Sequence, residues 1–161
     1  MLRKHFNLAY VDDDENDLFF FKRAVSRVPN VTVTTFGGGA AAVRHLEALT
    51  DAGDAPHILI SDLKMPCLDG CGVVRWIRQS KFHCLPVIIL SSTSLRDDIL
   101  ACYRAGANAF VTKPMASEDL TALLEITVRF WRDFGITPVA VKTSSASLCL
   151  PERPGMHGLS P

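Results

Sequence analysis

The chain has 161 residues, with Lys and Arg totalling 17 and Asp and Glu 17, a formal net charge of zero. This length suits one domain with one core, and the balanced charge gives no field of one sign to hold nucleic acid or an anionic membrane. No run nears the ~20 apolar residues of a membrane helix, and the basic start MLRKH leads into an apolar stretch too short for an export signal and cut off by acids, so a cytoplasmic protein is expected.

In chain order, the apolar run Phe6–Val11 predicts a strand that ends on Asp12, Asp13 and Asp14, followed by a helical period over Glu15–Val28 closed by Pro29 and Asn30. Val31–Thr35 predicts the second strand, and Gly37, Gly38 and Gly39 make a flexible turn into a helix over Gly38–Thr50. His57–Ser61 predicts the third strand, ending at Asp62, with a helix over Gly70–Gln79 entered through Asp69 and Gly70. Pro86–Leu90 predicts the fourth strand, ending at Ser91; Ser92 and Thr93 fit loop residues that cap a helix starting near Ser94 and covering Leu95–Ala105, which Gly106 stops. Ala109–Thr112 predicts the fifth strand. Lys113 then stands before Pro114, where the chain is held extended and a cis bond is admissible, which favours a fixed inward side chain. A last helix is predicted over Ser117–Asp133. From 134 to 161 the composition turns to Pro, Gly and Ser without helical or strand period, which predicts a disordered tail too short for an output module. The five cysteines, Cys67, Cys71, Cys84, Cys102 and Cys149, are odd in number and form no CxxC pair, so reduced thiols are expected rather than a disulfide framework or a zinc site.

Five strands that are nearly all apolar, each followed by a helix, imply an α/β domain: a doubly wound parallel sheet covered on both faces, with right-handed crossovers. Ligands bind such sheets beyond the carboxyl ends of the strands, at a switch in strand order. That rim gathers Asp12, Asp13, Asp14, Asp62, Ser91 and Lys113. A dinucleotide or flavin phosphate needs amide and hydroxyl donors after the first strand, where acids stand instead. Clustered carboxylates suit a hard divalent cation such as magnesium. Beside it, Asp62 could act as nucleophile toward a phosphoryl group contacted by Lys113 and Ser91. On the residues alone, Asp12 and Asp14 also fit helix caps and first-turn acids, and Phe110 also fits plain core.

Four motifs in order resemble the receiver domain of two-component response regulators over about residues 5–133. They are Val11-Asp12-Asp13; Ser61-Asp62-Leu63-Lys64-Met65-Pro66 with Asp69-Gly70; Ile89-Leu90-Ser91-Ser92; and Gly106-Ala107-Asn108-Ala109-Phe110-Val111-Thr112-Lys113-Pro114. The resemblance implies a flavodoxin-like five-stranded sheet of order 2-1-3-4-5. It implies that Asp62 is the phosphoacceptor, that Asp13 binds Mg2+ directly and Asp12 through water, and that Asp62 and the backbone carbonyl of Lys64 complete the metal's protein ligands. Ser91 and Lys113 take the places of the groups that contact the phosphoryl oxygens, and Ser91 and Phe110 those of the switch residues. Lys64 and Thr93 occupy positions that tune phosphoryl lifetime in this family. The implied protein is no enzyme in the usual sense but a phosphoacceptor that assists its own phosphorylation and dephosphorylation. Its implied partners are a sensor histidine kinase or histidine phosphotransfer protein, a downstream protein target and a phosphorylation-dependent second copy, with no nucleic acid and no membrane. The wording SDLKMPCLDG, ILSSTS and RFWRDF is most similar to stand-alone receivers associated with phytochrome-type kinases. Two rivals stand beside this reading: an aspartate-based phosphatase with Asp12 as nucleophile and Asp14 as acid, and a receiver-like scaffold that is never phosphorylated.

Overall fold

Strands β1 (Phe6–Val11), β2 (Val31–Phe36), β3 (Ile58–Ser61), β4 (Val87–Ser91) and β5 (Ala109–Thr112) pair in parallel in the order β2-β1-β3-β4-β5. The computed structural model describes residues 5–51 and 54–138. Between and after the strands run α1 (Glu15–Val25), α2 (Gly39–Ala48), α3 (Gly70–Gln79), α4 (Arg96–Ala105) and α5 (Ser117–Asp133). Since β2 and β3 flank β1 on opposite sides, the strand order switches at β1, and a crevice opens at the carboxyl ends of β1 and β3.

Period-two alternation assigns the apolar strand residues to one of two cores. Phe6, Leu8 and Tyr10 of β1, Ile58 and Ile60 of β3, and Ile88 and Leu90 of β4 pack with Phe21, Ala24 and Val25 of α1 and Leu124 and Val128 of α5. Their neighbours Ala9, Val11, Leu59, Val87 and Ile89 pack on the opposite face with Ala42 and Leu46 of α2, Val73, Val74 and Ile77 of α3, and Cys102 of α4. Buried on both faces, β1, β3 and β4 have the apolar runs that this position requires.

Local chemistry sets the helix ends. Asp14 and Asp69 are N-caps whose carboxylates accept from the amides of Asn16 and Gly72, at 2.7 Å each. Gly106 closes α4 at a φ of 103°, a left-handed conformation that favours glycine. Gly70 has a different reason: a Cβ there would meet the carbonyl oxygen of Asp62 at 2.4 Å, so α3 can begin this close behind Asp62 only with a glycine. Away from the rim, the Arg78 guanidinium donates to the carbonyls of Gly106, His83 and Leu85 and to Asn108 Oδ1, at 2.8–2.9 Å, clipping α3 to the turns before β4 and β5.

Several expectations need correction. β2 is not covered on both faces but is an edge strand whose residues alternate between half-buried and exposed over most of its length. The helix expected over Glu15–Val28 ends at Val25, where the Ser26 amide bonds the Lys22 carbonyl. The cap of α4 is Leu95 rather than Ser94, and Thr93 contributes by accepting from the Leu95 amide at 3.2 Å. No peptide bond among the described residues is cis, so the Lys113–Pro114 bond is trans. At the start of the expected tail, the Phe134 and Gly135 amides bond the Phe130 carbonyl at the end of α5, and Thr137 is buried, while Phe134 and Ile136 are exposed. The rest of that tail, 139–161, lies outside the described residues.

Candidate functional site

β1 delivers Asp12 and β3 delivers Asp62 side by side, held by the Asp62 amide donating to the Val11 carbonyl at 2.8 Å. Both side chains are buried, with residue exposures of 2 % and 9 %. Two unpaired carboxylates could not be buried together at this cost, and Lys113 supplies the balancing charge. It follows β5, its backbone amide bonds the Ser91 carbonyl at 2.8 Å, and its ammonium reaches Asp12 Oδ2 at 3.0 Å, Asp62 Oδ1 at 2.9 Å and Asp17 Oδ2 at 2.8 Å. The inward orientation of Lys113 therefore comes from three ion pairs, with no cis bond involved.

The remaining donors fix the two buried acids. Asp12 Oδ2 also accepts from the Tyr10 hydroxyl at 2.7 Å, and Asp12 Oδ1 accepts from the Asp14 amide at 3.0 Å. Asp62 Oδ2 accepts from the Lys64 amide at 2.8 Å, while the Lys64 ammonium pairs with Asp98 at 2.9 Å in the first turn of α4. Burial is the largest influence on Asp62 and raises its pKa; Lys113 and the Lys64 amide pull the other way, Asp12 adds to the rise, and the net shift is upward. Burial alone would lower Lys113, but its bonds to Asp17 and Asp62 and the fields of Asp62 and Asp12 outweigh that and raise it. Tyr10 is raised by burial and then by Asp12, so it remains a neutral donor.

The structure thus joins Asp12, Asp62 and Lys113 in one network. Ser91 is buried on β4, with its hydroxyl accepting weakly from the Thr93 amide at 3.4 Å. Phe110 is half-buried against the α3/α4 core and lies opposite Ile89 in the β4–β5 register, on the same sheet face as Ser91. Asp13 is exposed and has no hydrogen bond or ion pair among the described residues. Among the described residues no three His, Cys, Asp or Glu side chains are grouped to enclose a metal ion. The donors still fit a hard cation that keeps most of its waters, since they are carboxylates, one of them exposed, and burial, with Asp12 beside it, keeps the Asp62 pKa raised even next to Lys113. The phosphatase alternative fits less well: both oxygens of Asp12 are engaged, and Asp14 serves as an exposed helix cap.

Sequence reasoning missed Asp17, Tyr10 and the Lys64–Asp98 pair. Period could have found the first two: Asp17 lies one helical turn beyond Asp14, and Tyr10 lies two strand residues before Asp12 on the same face. The Lys64–Asp98 pair joins residues 34 apart in sequence, and no local pattern signals it.

The fold and rim define a doubly wound α/β domain with a lysine-bridged pair of aspartates at its strand-order switch. Residues 8–125 match the response regulator receiver domain, and the chain belongs to that family. Among similar proteins is the DNA-binding transcriptional regulator NtrC of Escherichia coli K12, 34% identical over 123 residues that cover 76% of this chain and 25% of that protein. The chain thus spans about a quarter of the NtrC relatives it matches. The probable methanogenesis regulatory protein FilR2 of Methanothrix harundinacea is 26% identical, covering 83% of this chain and 88% of that one. Among solved structures, the phosphorylated cyanobacterial phytochrome response regulator RcpA is similar with a TM-score of 0.76 and 25% identity, over 83% of this chain and 99% of that chain. The response regulator RPA3017, from red light signalling of R. palustris, is similar at 0.72 and 27%, over 83% and 98%. Receiver domains act in two-component signalling with histidine kinases and downstream targets, and generally bind Mg2+ at an acidic phosphorylation site. Among the described residues no helix is long and apolar enough to cross a membrane.

Proposed function

We propose that this chain is a response regulator whose receiver domain takes a phosphoryl group onto Asp62 from the phosphohistidine of a sensor kinase or histidine phosphotransfer protein. The observation that carries this reading is Lys113 Nζ, held 2.9 Å from Asp62 and 3.0 Å from Asp12 at the rim. A carboxylate oxygen of Asp62 forms the new P–O bond as the P–N bond breaks and its electron pair returns to the donor imidazole. Lys113 then balances charge on the transferred oxygens, and the Ser91 hydroxyl turns to donate to one of them. Asp13 directly, Asp12 through water, Asp62 and the Lys64 carbonyl would hold Mg2+, which supplies positive charge to the phosphoryl oxygens. The chain contributes a nucleophile and positioned charges to its own phosphorylation and dephosphorylation and turns over no separate substrate.

Movement of Ser91 vacates space beside Phe110, whose ring turns inward and alters the face formed by α4, β5 and α5. A downstream protein or a second copy reads that face, in the cytoplasm, without nucleic acid or membrane. The test is incubation with acetyl phosphate and Mg2+, borohydride trapping and mass spectrometry. A label on Asp62 is expected, lost in Asp62→Asn and much reduced without Mg2+. A label on Asp12 would favour the phosphatase alternative, and none on either would favour the unphosphorylated scaffold.

A further inference from the structure

Cys71 lies in the first turn of α3 and Cys102 in the last turn of α4, and both are buried. Their sulfurs stand 2.8 Å apart, less than an ångström beyond the ~2.05 Å of a disulfide bond. Cys102 is also the one fully buried residue of α4, whose remaining residues are half-buried or exposed. A helix held by so little buried surface opens at low cost, and its opening uncovers this thiol pair. We propose that Cys71 and Cys102 are an oxidative modification site, forming a disulfide that staples α3 to α4.

The oxidant is a hydroperoxide or a small disulfide such as oxidised glutathione. With a hydroperoxide, one thiolate attacks the O–O bond and becomes a sulfenic acid as the alcohol or water leaves. The second sulfur then attacks it, and the hydroxyl departs as water. With glutathione disulfide, two exchange steps release two reduced glutathiones. Burial, and then Cys71 beside it, push the Cys102 thiol up to about 12, so in the closed structure it has little thiolate and attack follows opening of α4. Once formed, the bond replaces a single buried contact with a covalent tie. Under the proposed function, on which this step rests, a tied α4 transmits less of the change begun at Asp62.

The full chain is equilibrated in glutathione buffers of rising oxidised fraction, with and without denaturant below the unfolding midpoint, then alkylated and mapped without reduction. Peptide 65–75 joined to peptide 97–104 is expected, with fragmentation placing the link at Cys71 rather than Cys67. Cys71→Ser and Cys102→Ser each abolish it, so the result survives the failure of either variant to fold. Pairs formed only by Cys67, Cys84 or Cys149, or alkylation of Cys71 and Cys102 at every ratio, overturn the proposal in favour of a plain S–H···S contact in the core. Amide exchange of α4 is then followed with acetyl phosphate and Mg2+. Faster exchange on labelling of Asp62 is expected in the reduced form and not in the oxidised one, and an equal change in both overturns the regulatory role. Absence of label on reduced Asp62 overturns the phosphoacceptor reading instead, and leaves the mapped disulfide standing.

Discussion

One ammonium serves three carboxylates at the rim, and Asp62 bears the deficit. Its raised pKa means that the folded protein holds a proton there more tightly than the unfolded chain. The stability Asp62 contributes is therefore full below its ordinary value of 3.8 and is lost as pH rises through the folded value. Asp62→Asn cannot ionise and avoids that loss, while Lys113 keeps Asp12 and Asp17. In chelator-treated buffer the variant is expected to melt above wild type at pH 7, with the gap closing as pH falls below 4; a gap that widens toward acid would contradict the charge balance. Gly70 offers a second test at this scale. Gly70→Ala forces a Cβ against the Asp62 carbonyl, and is expected to cost ~1–3 kcal/mol in denaturant titrations, the usual range for overpacking. It should also slow labelling by acetyl phosphate, because the strain falls on the backbone of the proposed phosphoacceptor.

Among the elements, α3 is tied down by Arg78, whose acceptors are three carbonyls and the Asn108 amide oxygen; that same oxygen also accepts from the Val87 amide at 2.8 Å. Arg78→Met keeps the aliphatic stem and removes the donors, so a loss of ~2 kcal/mol is expected in chemical denaturation, with faster amide exchange around Asn108. A loss no larger than that of an exposed arginine would show that water replaces the clip. No sequence pattern announces Arg78, since its partners are backbone groups that only the folded chain assembles. Asp12, Asp62 and Lys113 were legible because strand ends in a parallel sheet must converge on one rim. Helix α1 was overextended because Val28 is apolar, yet Val28 is buried beyond the helix end, its amide bonding the Val25 carbonyl. β2 was misjudged although both signals were present: the order 2-1-3-4-5 places it at an edge, and Val31 to Thr34 alternate apolar with polar, as a strand covered on one face does.

At the largest scale, the described residues form two cores separated by one sheet, and α4 belongs to them least. Its Leu95 cap and Tyr103 are exposed, as are Ile126 and Phe130 of α5, while the Phe110 amide at the β5 edge donates to the Tyr103 hydroxyl at 3.2 Å. Beryllofluoride with Mg2+ is expected to change self-association or amide exchange over α4, β5 and α5, by a coupling of ~1–3 kcal/mol. Phe130→Glu is expected to abolish any gained self-association in sedimentation while leaving Asp62 labelling at the wild-type rate; unchanged association would place the contact elsewhere. The strand order has one more consequence, in the time course of folding. β1 is made before the other strands, yet it occupies an interior place in the sheet, with Leu8 paired to Ile58, 50 positions further along the chain, and Phe6 paired to Val31 on its other side. Such distant pairings close slowly because loop entropy is lost before they form. On a ribosome, FNLAYV waits with one flank bare until β3 has emerged, so the segment that carries Asp12 is also the one most in need of shelter during synthesis.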